Sequence, residues 1–195
     1  INMVHVDYKD VVKGTYNEIK DICFNNPFRL GLIRDIIKNS DGNILLLVGK
    51  VEDEGQLLKD ILTEDDELQD FDREFLSSKD SAKERETWRK YMDEKDTKIV
   101  LIATYGIFQQ GINIKSLKNL ILASPFKSKI RVLQSIGRTL RLHADKDGAI
   151  VWDICDKVKH LNKHSDVRLK HYNIEGFEVI EHFIMEGCRY DELFN

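Results

Sequence analysis

Ile44-Leu45-Leu46-Leu47-Val48 is an unbroken apolar run, closed by Gly49-Lys50. A strand wetted on one face alternates apolar with polar residues. A strand apolar on both sides must be covered on both faces, as in a parallel sheet. Lys98-Ile99-Val100-Leu101-Ile102-Ala103 and Asn119-Leu120-Ile121-Leu122-Ala123 repeat the pattern, and Gly148-Ala149-Ile150-Val151-Trp152-Asp153 closes the series. Helical material fills the gaps. Leu57, Leu58, Ile61 and Leu62 mark one helix, and a highly charged helix spans about Ser81 to Asp93 after a short strand, Phe71 to Leu76. This alternation gives an α/β fold: a parallel sheet with helices on both faces.

The flanks of that series read differently. The first forty residues read as helical and connecting material. Asn26-Pro27 supplies a cap with proline in the first turn, and Leu30, Ile33, Ile36 and Ile37 form a stripe up to the Ser40-Asp41-Gly42 break. From Lys157 the chain becomes basic, with Lys159, His160, Lys163, His164, Arg168, Lys170 and His171. It then turns amphipathic from Phe177 to Ile184. We expect a terminal helix there, packed back on the sheet. The expected division is a helical linker over 1–41, the α/β domain over 42–156 and a basic helical/amphipathic extension over 157–195.

Composition supports one ordinary domain. Of 195 residues 42% are apolar, and only two are proline, so a core can form. The net charge of −4 gives no overall basic footprint, and any nucleic-acid contact must come from a local patch. Cys23, Cys155 and Cys188 lie far apart without C-x-x-C spacing, which suits a reducing, cytoplasmic setting and buried structural roles. The six histidines are scattered without zinc spacing, so no metal site is expected. Neither a signal peptide nor a run long enough to span a bilayer is visible, and no membrane partner is expected. The opening Ile1-Asn2-Met3 reads as a piece of something longer.

Chemistry concentrates in two stretches. Gln134-Ser135-Ile136-Gly137-Arg138-Thr139-Leu140-Arg141 reads Q-x-x-G-R-x-x-R. On a helix, 134, 138 and 141 stand at i, i+4 and i+7 and share a face. Arginines so spaced are usually a solvated face. Here Ile130, Val132, Leu133, Ile136 and Leu140 surround them, so the helix reads as largely buried. Buried guanidiniums need anionic partners, and two such forks suit a triphosphate. The second stretch is Ile102 to Asn113. Its strand ends at Ala103, exposing Thr104 at a carboxyl edge, and Gly111-Ile112-Asn113 makes a bend whose amide could meet a sugar hydroxyl. Of the aromatics, Tyr105, Phe108 and Trp152 read as core, and Phe126 is the candidate for stacking on a base.

Together these residues resemble the second RecA-like domain of superfamily two helicases and translocases. Thr104 to Asn113 resembles motif V, although many members carry Asp at the position of Asn113. Gln134 to Arg141 resembles motif VI, and Leu45 to Lys50 with Glu52-Asp53-Glu54-Gly55 resembles motif IV. The likeness is clear over about Gly42 to Asp153. Tyr105-Gly106-Ile107-Phe108, Lys127-Ser128-Lys129-Ile130 and Val151-Trp152-Asp153 bring it closer to phage UvsW-type branched-DNA helicases.

The resemblance implies an ATP-dependent helicase with a RecA-like sheet. Arg141 would be the arginine finger, Arg138 its companion and Gln134 a nucleotide sensor, with Gly111 and Asn113 also at the nucleotide. Gly49, Lys50, Thr104 and Tyr105 would line the nucleic-acid track. ATP and Mg would be held mainly by a first RecA-like domain outside this chain. The nucleic acid would be single-stranded or branched DNA, with RNA as the alternative.

No G-x-x-x-x-G-K-[ST] occurs. Asp93-Glu94-Lys95-Asp96 matches D-E-x-D by letter but follows helical rather than strand residues, and reads as a charged helix end. The chain alone is therefore expected not to hydrolyse ATP. Two other readings stand beside this one: a non-catalytic nucleic-acid-binding module of the same shape, and an unrelated doubly wound domain that binds a mononucleotide.

Overall fold

The computed structural model describes residues 1–10, 12–68, 71–76, 80–94, 98–109, 114, 116–126, 136 and 149–194. Among these residues seven parallel strands form one sheet: β1 (Asn2–Asp7), β2 (Asn43–Val48), β3 (Asp72–Leu76), β4 (Ile99–Thr104), β5 (Leu117–Leu122), β6 (Ile150–Asp156) and β7 (Ile180–Met185). Their order is β3-β4-β2-β5-β6-β1-β7. The helices described are α1 (Tyr16–Phe24), α2 (Pro27–Asn39), α3 (Gln56–Glu64), α4 (Ala82–Glu94), α5 (Tyr105–Gln109) and α6 (Lys159–Ile174).

The apolar runs are strands buried on both faces, and successive side chains feed opposite cores. Leu45 and Leu47 of β2, Leu101 and Ala103 of β4, and Leu120 and Leu122 of β5 point into one core with α4, α5 and Tyr172 of α6. Ile44, Leu46 and Val48, with Val100, Ile102 and Ile121, point into the other, against Leu30, Ile33, Ile36 and Ile37 of α2 and Leu58 of α3. Fully burying each such side chain contributes about 1.5–3 kcal/mol. The stripe on α2 therefore has a sheet to cover, and its ends are set as the sequence suggests. Asn26 caps it by accepting from the Arg29 N–H at 3.1 Å, Pro27 opens it, and Gly42 turns the chain at φ +70°.

Three expectations are corrected. The first forty residues are not all helical and connecting: Asn2–Asp7 is a strand between β6 and β7. The segment expected as a terminal amphipathic helix is strand β7, with α6 supplying the helix of the extension. Residues before 42 and after 156 thus each add a strand to the sheet. Cys23 and Cys155 are buried as expected, but Cys188 is exposed. The D-E-x-D lookalike is indeed a helix end: α4 stops at Glu94, and Asp93 pairs with Arg89 at 2.8 Å.

Candidate nucleic-acid interface

All strands run the same way, so their carboxyl ends form one edge. Open α/β sheets place their ligands there. Strands β2 and β4 are neighbours with Val48 opposite Thr104, which brings Gly49-Lys50 and Thr104-Tyr105 out side by side.

The turn after β2 is held by a carboxylate. A single π turn, Val51–Gly55, lets Glu54 fold back over the residues before it. Glu54 Oε2 accepts the N–H of Gly49 at 2.6 Å, the N–H of Lys50 at 2.9 Å and the Ser124 hydroxyl at 2.6 Å. Its Oε1 accepts from the Lys20 ammonium of α1 at 2.8 Å. The Gly49 N–H is shared with Ser124 Oγ at 2.9 Å. Glu54 is 3% exposed. Burial alone would push its carboxyl up, but the Lys20 ammonium, the Ser124 hydroxyl and the Lys50 N–H outweigh it and hold it below the ordinary value. It is an anion, with Oε2 taking three donors and Oε1 a fourth.

The backbone N–H groups of Gly49 and Lys50 are thus already donated to Glu54. The Lys50 ammonium is what the turn offers outward. Its side chain is 50% exposed and lies 3.3 Å from Asp21 and 3.8 Å from Asp53. Exposed pairs of this kind contribute little, and a phosphate can replace them.

Thr104 accepts the Ile107 N–H at 3.4 Å and caps the start of α5. Tyr105 is buried; its hydroxyl donates to the Ser124 carbonyl at 3.0 Å, and burial pushes its pKa well up. It shapes the edge from beneath. Phe126, the candidate for stacking, is engaged already: its ring lies 4.5 Å from that of Tyr105 and 4.6 Å from the Arg168 guanidinium.

Two buried arginines brace the edge. Arg168 of α6 meets Asp153 of β6 through Nε at 2.7 Å and Nη2 at 2.9 Å, and donates to the Phe126 carbonyl at 3.3 Å. Tyr172 donates to the same carboxylate at 3.1 Å. Arg29 of α2 donates through Nε to Asp156 at 2.8 Å, and Tyr8 donates to that same Asp156 oxygen. In the sequence Arg168 stands within the basic stretch that follows Lys157. The spacing of Leu161, Ser165, Arg168 and Tyr172 puts it on the buried face instead.

The rest of the tail is mixed in charge. Lys157, Lys159 and His160 line a cleft of about 570 Å³ with Lys13, but Asp7 and Asp10 line it too. Gln134, Arg138, Arg141, Gly111 and Asn113 lie outside the described residues. Within the Q-x-x-G-R-x-x-R stretch only Ile136 is described, helical and fully buried. Among the described residues no cluster of His, Cys, Asp and Glu could hold a metal, and no helix is long and apolar enough to cross a membrane.

The family described as the helicase conserved C-terminal domain matches residues 29–143. The chain is 35% identical over 127 residues to the ATP-dependent DNA helicase uvsW of Enterobacteria phage T4, covering 65% of this chain and 25% of that protein. It spans about a quarter of that curated relative. The crystal structure of T4 UvsW superposes with a TM-score of 0.76 at 28% identity, over 94% of this chain and 41% of the other. Domain 2 of the DEAD-box helicase Mss116p, solved bound to an RNA duplex, shares the fold with a TM-score of 0.63 at 17% identity, over 99% and 66% of the two chains.

Proposed function

This chain belongs to the helicase conserved C-terminal domain family, and from that premise we propose that it is the second motor domain of an ATP-dependent DNA helicase or translocase. Its work would lie in recombination, repair or replication-fork remodelling. The observation that carries the reading is the pairing of β2 with β4, which sets the exposed Lys50 ammonium beside the end of the motif V-like strand.

The Lys50 ammonium meets a phosphate of one strand, exchanging Asp21 and Asp53 for it. Thr104 and Tyr105 act by shaping the floor: one caps α5 and the other ties α5 to Ser124. Such contacts position a strand and do not read its sequence.

ATP with Mg would be held mainly by a first RecA-like domain outside this chain, and its hydrolysis would supply the free energy for movement. Arg141 would meet the transferring phosphoryl, with Arg138 as companion, Gln134 as sensor, and Gly111 and Asn113 at the nucleotide. The burial of Ile136 fits this assignment. On a helix, at about 100° per residue, positions 134, 138 and 141 would stand roughly 140–200° around from 136.

DNA is favoured because the 35%-identical relative is named a DNA helicase, whereas the RNA-bound Mss116p domain is alike in fold alone. The test is ATP turnover by the full-length protein with forked DNA, single-stranded DNA or RNA. Turnover stimulated by DNA is expected, with kcat about 10³-fold lower in Arg141→Ala. Undiminished turnover in that variant removes the finger, and stimulation by RNA alone makes this an RNA helicase domain. No turnover despite DNA binding leaves a non-catalytic module. Tight ATP binding by residues 1–195 alone favours the mononucleotide-binding reading.

A further inference from the structure

The geometry points to Glu54 as the positioning residue of the nucleic-acid track, acting through the two consecutive N–H groups of Gly49 and Lys50 to aim the Lys50 ammonium. The inference rests on the track reading above. It adds a residue that touches no nucleic acid and carries the wrong charge for the task.

Three observations converge. The first is the donor set. Two backbone N–H groups, a hydroxyl and an ammonium at the carboxyl edge of parallel strands would suit a phosphate, yet Glu54 fills them from within the chain at 2.6–2.9 Å. The second is rigidity. Oε2 ties β2's exit to Ser124, which follows β5, beside the direct bond from the Gly49 N–H to Ser124 Oγ, so the turn is fixed against a neighbouring strand. A Cβ at Gly49 would come within 2.8 Å of the Lys20 ammonium and 3.0 Å of Glu54, so the turn closes tightly around the carboxylate. The third is the grip from α1. Lys20 holds Glu54, and the next residue, Asp21, holds the Lys50 ammonium at 3.3 Å. One turn of α1 therefore sets both ends of the device.

Charge alone predicts the opposite of positioning. A carboxylate near a phosphate track repels it, so neutralising Glu54 would tighten binding. If Glu54 acts by aiming Lys50, neutralising it weakens binding, and only while Lys50 is present.

The test is anisotropy of a labelled single-stranded oligonucleotide bound to the full chain, titrated across salt concentrations, for wild type, Glu54→Gln, Glu54→Ala, Lys50→Ala and the two double variants. Thermal melts confirm that each is folded. Expected are a five- to tenfold loss of affinity in Glu54→Ala, a smaller loss in Glu54→Gln, and a salt slope lower by about one phosphate contact. Neither change should lower affinity further in the Lys50→Ala background. Additive losses would mark Glu54 as merely structural, and tighter binding by Glu54→Gln would mark it as a repelling charge; either overturns the inference. If Lys50→Ala binds like wild type, the track reading fails and the inference falls with it. If Lys50→Ala alone weakens binding and the Glu54 variants do not, the track stands and Glu54 has no part in it.

Discussion

Arg168 and Asp153 form a two-pronged ion pair, at 2.7 and 2.9 Å, with side chains only 3% and 0% exposed. Burial alone would lower the guanidinium's pKa, but the carboxylate outweighs it and keeps it charged. The pair joins α6 to β6 and reaches the Phe126 carbonyl.

Removing one partner should therefore hurt more than removing both. Arg168→Met leaves a buried, unpaired carboxylate and should cost about 3–5 kcal/mol. Adding Asp153→Asn should restore part of that. Urea midpoints for the two single variants and the double variant decide it; equal losses would mean that packing rather than charge carries the effect.

Glu54 gives the fold a pH dependence of known sign. Its folded-state pKa lies below its unfolded value, so the stabilisation is fully present above the unfolded carboxylate range, about pH 4.3. It is lost as pH falls through the depressed folded value. Denaturant melts at pH 7 and pH 3 should show a smaller acid-induced loss in Glu54→Gln than in the wild type.

Thiol reactivity should be selective. Burial pushes the Cys23 thiol up to about 12 and raises that of Cys155, whereas Cys188 is exposed. A thiol reagent at neutral pH should react quickly with one cysteine per folded chain and with three after denaturation. Mass mapping should locate the fast adduct at Cys188.

Tyr8 closes the second buried pair. Its phenol donates to the Asp156 oxygen that also takes Arg29 Nε. Hydrogen bonds to charged groups contribute about 1.5–3 kcal/mol, so Tyr8→Phe should lower stability by about that amount. Because Arg29 still neutralises Asp156, the loss should fall short of that in Arg29→Met.

The central strands were legible because a run such as Leu45-Leu46-Leu47 must be buried on both faces wherever it lies. Two strands were not. In Asn2–Asp7 the run is broken by His5, which becomes acceptable inside only by stacking on Phe183 at 4.7 Å and bonding Glu181 at 2.9 Å. Phe183 and Glu181 belong to β7, which is mostly exposed with only Ile184 buried and passes equally for a helix. Each strand is explained by the other, and 170-odd residues separate them.

The site divides in the same way. Lys50 and Thr104 follow from strand ends, which sequence can place. Glu54 stands in the stretch that resembles motif IV, but the resemblance gives it no task, and its partners Lys20 and Ser124 are 34 and 70 residues away. Only the tertiary fold brings four donors to one carboxylate.

The place of β1 also has a consequence in time. Asn2 lies opposite Trp152 on one side and Ile180 on the other. At about 5–20 residues per second, a ribosome needs roughly 8–30 s after making β1 to supply even the first of those partners. Through that interval a strand carrying Met3, Val4 and Val6 has no ladder to join, while β2, β4 and β5 can already pair. Synthesis thus lets central strands of this sheet pair before β1 meets either of its neighbours.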